Sequence, residues 1–132
     1  MYKIKFVKKK DLKKLSIFFN NHWKKKHIFN TNKKLFNWQH LNKQKSRFNF
    51  IVAHHNKSDK PIAILGFIPT SQFDNKIEIN NFVWLAIWKV IDRYKGKKIG
   101  TELLNFLIKN LKVKVLCTVG ASEMTLAIYK SK

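Results

Sequence analysis

Residues Phe82 to Leu111 read FVWLAIWKVIDRYKGKKIGTELLNFLIKNL, and their reading decides the fold. From Phe82 to Ile91 the run is almost continuously apolar, with many β-branched and aromatic residues. It is too short to cross a bilayer, and it predicts a strand buried on both faces. Asp92 to Gly100 is basic and holds two of the chain's four glycines. From Ile99 onward, apolar residues recur at Leu103, Leu104, Leu107 and Leu111, the spacing of one helix face. A buried strand, a glycine-bearing basic turn and a helix together form a phosphate cradle. Free N–H groups at the helix start point toward the ligand, and the helix dipole favours an anion there. The plainer alternative is a basic surface turn that starts an ordinary helix.

Two common nucleotide motifs do not fit. Gly96-Lys-Lys-Ile-Gly100-Thr101 does not supply GxxxxGK[ST], and no GxGxxG is present. The run Val90-Ile-Asp-Arg-Tyr94-Lys95-Gly96-Lys97-Lys98-Ile99-Gly100-Thr101-Glu-Leu103-Leu104 resembles instead the acetyl-CoA signature of the GNAT superfamily of N-acetyltransferases. That signature reads roughly V-x-P-x-Y-[QR]-G-x-G-[IL]-[GA]-x-x-L-[LI]. Asp92 stands in place of its Pro, Lys95 in place of Gln or Arg, and Lys98 in place of Gly. Lys98 adds a Cβ at a tight turn, which is strained if the position needs positive φ. The ammonium of Lys98 offsets part of that strain if it reaches a phosphate.

Outward from this stretch the pattern fits one domain, residues 1–132, long enough for a real core and too short for two. Tyr2 to Val7 alternates as a half-buried strand. Asp11 is placed to cap a helix carrying Leu12, Leu15, Phe18, Phe19 and Trp23 on one side, and a shorter helix covers about Lys33 to Asn42. Phe48 to His55 and Ile62 to Ile68, joined by the turn Asn56-Lys-Ser-Asp59, predict a hairpin. Lys112 to Val119 predicts a fifth strand, and Ser122 to Ser131 a final helix. The order β-α-α-β-β-β-α-β-α implies an α/β (α+β) domain with a mixed, mostly antiparallel sheet and helices on both faces.

This is also the order of the GNAT fold as far as its fourth helix. In that fold the fourth and fifth strands are parallel and splay apart, and the pantetheine arm of acetyl-CoA enters between them. The resemblance implies backbone pairing with the cofactor around Trp88 to Val90, and a pyrophosphate held by Lys95, Gly96, Lys97, Lys98, Gly100 and Thr101. It places Tyr129, in Ile128-Tyr129, as the acid that protonates the departing thiolate, although Ser122 and Thr125 depart from the family's Asn and Ala. Two further strands would follow in the family. The chain stops at Lys132, so the expectation is a GNAT-like domain lacking its closing strand pair. The fifth strand would then be an exposed edge, covered by a homodimer partner or a second chain.

The base is less clearly written. The strand Phe82 to Ile91 carries no carboxylate, which leaves Asp74 and Glu78, with His22 and His27, as candidates. Each is also readable as a solvated or structural residue. His22-Trp23, His27-Ile28, Trp38-Gln39 and Gly66 to Asp74 resemble a GNAT subgroup associated with surface-polysaccharide (lipopolysaccharide) biosynthesis. That resemblance implies a nucleotide-linked amino sugar as acceptor, with Trp38 for ring stacking and Thr70, Ser71 and Asp74 for hydroxyls. Trp23, Trp38 and Trp84 each also fit a plain core role.

The net charge of +21 points at face value to a polyanionic partner. Arg47 and Arg93 are the only arginines, however, and the lysines are spread along the whole chain. This argues for coding bias and against nucleic acid, whose readers favour Arg. A non-catalytic polyanion-binding protein, or an inactive fragment of the domain, remains the rival reading. The lone Cys117 permits no internal disulfide, no metal-ligand pattern is visible, and the N-terminus shows no leader, so the expected compartment is the cytoplasm.

Overall fold

The structure is a computed structural model that describes residues 1–74, 76 and 82–118. Among these residues a five-stranded sheet forms the centre. It comprises β1 (Tyr2–Phe6), β4 (Phe50–His55), β5 (Pro61–Pro69), β6 (Phe82–Val90) and β7 (Val115–Cys117), side by side in that order. The first three junctions are antiparallel, and β6 pairs with β7 in parallel. A two-stranded ribbon, β2 (Leu41–Asn42) with β3 (Arg47–Phe48), stands apart from the sheet.

Three helices precede the sheet's centre: α1 (Leu12–Phe18), α2 (Ile28–Thr31) and α3 (Lys33–His40). They cover the face onto which Phe50 points, and its ring meets Phe19, Phe29, Phe36 and His40. Helix α4 (Ile99–Leu111) covers the opposite face, where Phe106 meets Phe6, and Phe6 meets Phe67. Leu103, Leu104 and Leu107 of α4 are fully buried, as the three-and-four spacing requires. Each such side chain contributes about 1.5–3 kcal/mol of burial. Strand β5 is apolar along its whole length because both of its faces are roofed, and it forms the middle of the core.

Gly66 is needed by this packing. It pairs directly with Phe50, and a Cβ built on it would sit 2.7 Å from the Phe50 ring. Gly66 is also opposed by two residues of β6. The register passes from Leu65↔Trp88 to Phe67↔Leu85, so Ala86 and Ile87 share one partner in a β-bulge.

The strand Phe82 to Ile91 departs from its expected burial. Phe82 and Trp84 are exposed, because no helix among the described residues covers their face at that end. Asp11 also acts differently than expected. Its carboxylate accepts from the Lys8 amide at 2.9 Å and pairs with Lys5 at 2.9 Å, so it closes the turn before α1 and makes no side-chain bond into the helix. Burial is the largest single effect and would raise that carboxyl, but the Lys8 amide and the lysines together outweigh it and hold it below its ordinary range. Trp23 falls outside α1, which ends at Phe18 and loosens into a wider turn, Phe19–Trp23, leaving the indole exposed.

Candidate functional site

Two features of β6 define the candidate site. The ladder to β7 runs Phe82↔Val115, Val83↔Leu116 and Trp84↔Cys117, and the two strands pair no further among the described residues. Past that point the bulge at Ala86 and Ile87 bends β6 and interrupts its ladder with β5. A groove of about 680 Å³ lies where β6 meets β7, lined by Trp84, Leu85, Ile108, Val113 and Leu116 among others. Cys117, half-buried, also lines it.

At its far end β6 leads through a 3₁₀ turn, Asp92–Tyr94, into the basic loop. Gly96 has φ +78° and open space around its Cβ position, so it serves conformation alone. Lys98 has φ +64° and ψ +5°, the left-handed conformation whose cost to a side chain was anticipated at this position. Lys98 is the cap of α4 and offers no side-chain bond to it. The amides of Ile99, Gly100 and Thr101 thus open the helix without a side-chain acceptor, at the positive end of its dipole. Gly100 has a packing role, since a Cβ there would lie 3.3 Å from both Trp88 Nε1 and Val90 Cγ2. Helix and strand approach closely at that point, and the approach sets where the loop sits.

The cations are also arranged. Lys95 pairs with Asp92 at 2.9 Å, holding that carboxyl below its usual range. Lys97 and Arg93 both approach the Tyr94 ring, at 5.4 and 5.1 Å from its centroid. Glu102, the one acid in the first turn of α4, accepts the Tyr2 hydroxyl. Burial, then that bond, pushes the Tyr2 hydroxyl up to about 12.

The residues expected to meet an acceptor lie elsewhere. Thr70, Ser71 and Gln72 form a turn directly after Pro69, which pairs with Val83. They sit at the opposite end of β6 from the loop, roughly 20 Å away along the strand. Trp38 is 65% exposed, far from a core role, and packs on Phe73 with ring centroids 5.0 Å apart. The Thr70 hydroxyl oxygen is buried with no hydrogen-bond partner. Asp74 is exposed and accepts from the Lys76 amide at 3.0 Å. The His27 ring caps α2 by accepting from the Phe29 amide at 3.1 Å, and it stacks on Phe19. Burial, then the charge of Lys24, depresses its pKa. His22 is exposed, and its ring meets Phe18 at 5.0 Å. Glu78, Tyr129, Ser122 and Thr125 lie outside the described residues.

Sequence reasoning missed a buried polar cluster beneath the Thr70–Gln72 turn. His40 and Asn49 are fully buried, and His40 Nδ1 and Asn49 Oδ1 lack partners. Gln72 accepts from Asn49 Nδ2 at 2.6 Å and donates to the Gln39 and Trp38 carbonyls at 3.0 and 3.3 Å. These are carbonyls that the end of α3 leaves without helical partners. Burial pushes the His40 imidazole down to about 4, with the Asn49 and Phe67 carbonyls opposing. No local sequence signal joins residues so far apart in the chain.

No family model matches the chain, and no curated protein does. Solved structures match it closely in fold. An arylalkylamine N-acetyltransferase-like 5b protein from mosquito superposes with TM-score 0.70 at 13% identity, over 99% of this chain and 82% of that one. A GNAT family N-acetyltransferase from Escherichia coli, solved with CoA, gives 0.68 at 14%, over 98% and 66%. The ribosomal-protein-S18-alanine N-acetyltransferase of Escherichia coli gives 0.64 at 18%, over 99% and 76%. The chain therefore has the GNAT acetyltransferase fold. It spans between 42% and 88% of the solved chains it resembles, less than half of the first of them. No helix among the described residues is long and apolar enough to cross a membrane. No cluster of three or more His, Cys, Asp or Glu there could hold a metal ion.

Proposed function

We propose that the protein is an acetyl-CoA-dependent N-acetyltransferase acting on a small primary amine. The observation that carries this reading is a bulged strand, β6, that pairs in parallel with β7 and ends in a positive-φ basic loop at the start of α4. A slot between parallel strands admits a long, narrow cofactor arm, whose amides take up backbone groups as an added strand would. The helix start suits its pyrophosphate. Lys97, Lys98 and the amides of Ile99, Gly100 and Thr101 would hold it. Lys95 is available once exchanged from Asp92.

In the reaction the amine attacks the thioester carbonyl, the C–N bond forms, the C–S bond breaks, and the thiolate takes a proton. Tyr129 is our assignment for that proton. Asp74 or Glu78, acting directly or through water, would accept the amine's proton. The finer assignment is a nucleotide-linked amino sugar, whose amine is weakly basic and needs little help to lose a proton. It is supported by the exposed Trp38–Phe73 pair beside Thr70 and Ser71, at the end of β6 remote from the loop. A cofactor arm lying along β6 would present its thioester toward that end.

Thermal unfolding with and without acetyl-CoA tests the reading. Ligand at about a hundred times its Kd should add about 2.7 kcal/mol. Lys97→Glu combined with Lys98→Glu should abolish most of that gain. A cooperative transition unmoved by acetyl-CoA overturns the proposal.

A further inference from the structure

On the far side of the Asp92–Tyr94 turn lies a second groove, of about 690 Å³. It is walled by the β4–β5 turn and the residues following α1. Six of its lining residues carry polar atoms suited to an anion or a ring suited to a base: His22, His55, Ser58, Lys60, Arg93 and Tyr94. We propose that this groove binds the phosphate of a phosphomonoester nucleotide, at a site separate from the start of α4.

Three observations point to that chemistry. First, the His55 ring has a defined tautomer. Its Nδ1 accepts from the Lys57 and Ser58 amides at 3.2 and 3.4 Å, so a neutral ring carries its proton on Nε2 and acts there as a donor. Second, the one carboxylate lining the groove, Asp92, is paired with Lys95 at 2.9 Å, so Lys60 and Arg93 leave the groove with a net positive charge. An Arg fork and a Lys point charge together match a dianion with three acceptor oxygens. Third, Arg93 is steadied by the Tyr94 ring, the same ring that Lys97 of the basic loop approaches. The volume exceeds what a phosphate needs, and its walls include Pro61, Ile62 and Ile91, which suit a nucleoside.

The phosphate has two sources: the 3′-phosphate of acetyl-CoA, or a free nucleoside monophosphate. The groove rests on its own geometry, while this choice of source rests on the acetyl-CoA reading. Adenosine 5′-monophosphate is titrated into the full chain at constant chloride, following the ring resonances of His55 and His22 by NMR. Saturable shifts are expected, with half-saturation raised at least tenfold in Lys60→Gln combined with Arg93→Gln. Both positions are exposed, so the fold should tolerate them. No shift, or the same curve in the double variant, overturns the proposal. In a second arm, acetyl-CoA and 3′-dephospho-acetyl-CoA are compared by calorimetry. A tenfold preference for acetyl-CoA in the wild type, lost in the double variant, identifies the cofactor's phosphate as the occupant. Equal affinities alongside a working nucleotide titration identify the free nucleoside monophosphate as the occupant. If neither CoA binds, the acetyl-CoA reading fails, and the nucleotide titration still decides the groove.

Discussion

The two ends of β6 are built by different means. At the Phe82 end, side chains fix the structure. Gln72 ties the last carbonyls of α3 to Asn49, His40 is enclosed by Phe29, Phe36 and Phe50, and the Thr70–Gln72 turn is held against them. At the Val90 end, the backbone fixes the structure. Gly96 and Lys98 take positive φ, Gly100 lets the helix approach the strand, and the charged groups stand in solvent. The first arrangement is dry and intolerant of charge. The second is wet, and its geometry survives changes of side chain. On the proposed reading, an end that positions an uncharged amine benefits from the first kind of construction, and an end that receives a pyrophosphate benefits from the second.

The sharpest way to test this contrast is pH. His40 is neutral when folded, since burial pushes it down to about 4, whereas in the unfolded chain it titrates near 6.5. Between those values the unfolded state binds more protons, so stability is in full above about pH 6.5 and falls as pH drops toward 4. The loss from this residue is on the order of 3 kcal/mol. His27 and His54 are depressed by burial as well and add smaller losses of the same sign. His40→Phe should flatten most of the slope in denaturant midpoints measured from pH 7 to pH 4. The same slope in the variant would mean that the Phe82 end is as wet as the other.

Gln72→Ala tests the network itself. It leaves the Asn49 amide and two helix carbonyls without their partner, and should cost about 2 kcal/mol. An effect below about 0.5 kcal/mol by urea unfolding would show that water replaces the carboxamide, and that the two ends differ less than the geometry implies.

What could be read in advance follows the same division. The order of the main elements as far as β7 was legible because hydrophobic period is local, whereas the short α2 and the β2–β3 ribbon were not, and the expected final helix, Ser122 to Ser131, lies outside the described residues. The strain at Lys98 was legible because a tight turn demands positive φ of one residue in a short motif. The network was not, since His40, Asn49 and Gln72 are separated in sequence and joined only by the fold. Gly66 did carry a signal. A lone glycine inside a strand pattern marks a bulge or a close approach, and here it marks both. The exposure of Phe82 and Trp84 was hidden, because an apolar run shows that a strand can be covered without showing how far its neighbours extend. Trp38 was hidden for the opposite reason. An aromatic residue on a helix reads as core until the helix is docked.

The smallest expected effect is the most discriminating, because it separates stability from binding at a single residue. Lys98 is in the left-handed conformation, which costs a side chain about 1–2 kcal/mol, and it places a cation at the positive end of α4. Lys98→Gly relieves both, offset by about 0.4–1 kcal/mol of added freedom in the unfolded chain. The variant should therefore be more stable than the wild type by roughly 0.5 kcal/mol in urea. If Lys98 holds a phosphate, the same variant should gain less from acetyl-CoA than the wild type does. Opposite signs in the two measurements would show that the strain is retained for a ligand. A stabilised variant with an undiminished acetyl-CoA shift would mean that Lys98 reflects the lysine-rich composition alone, with the anion held by backbone amides. A destabilised variant would mean that the Lys98 side chain supports the fold itself.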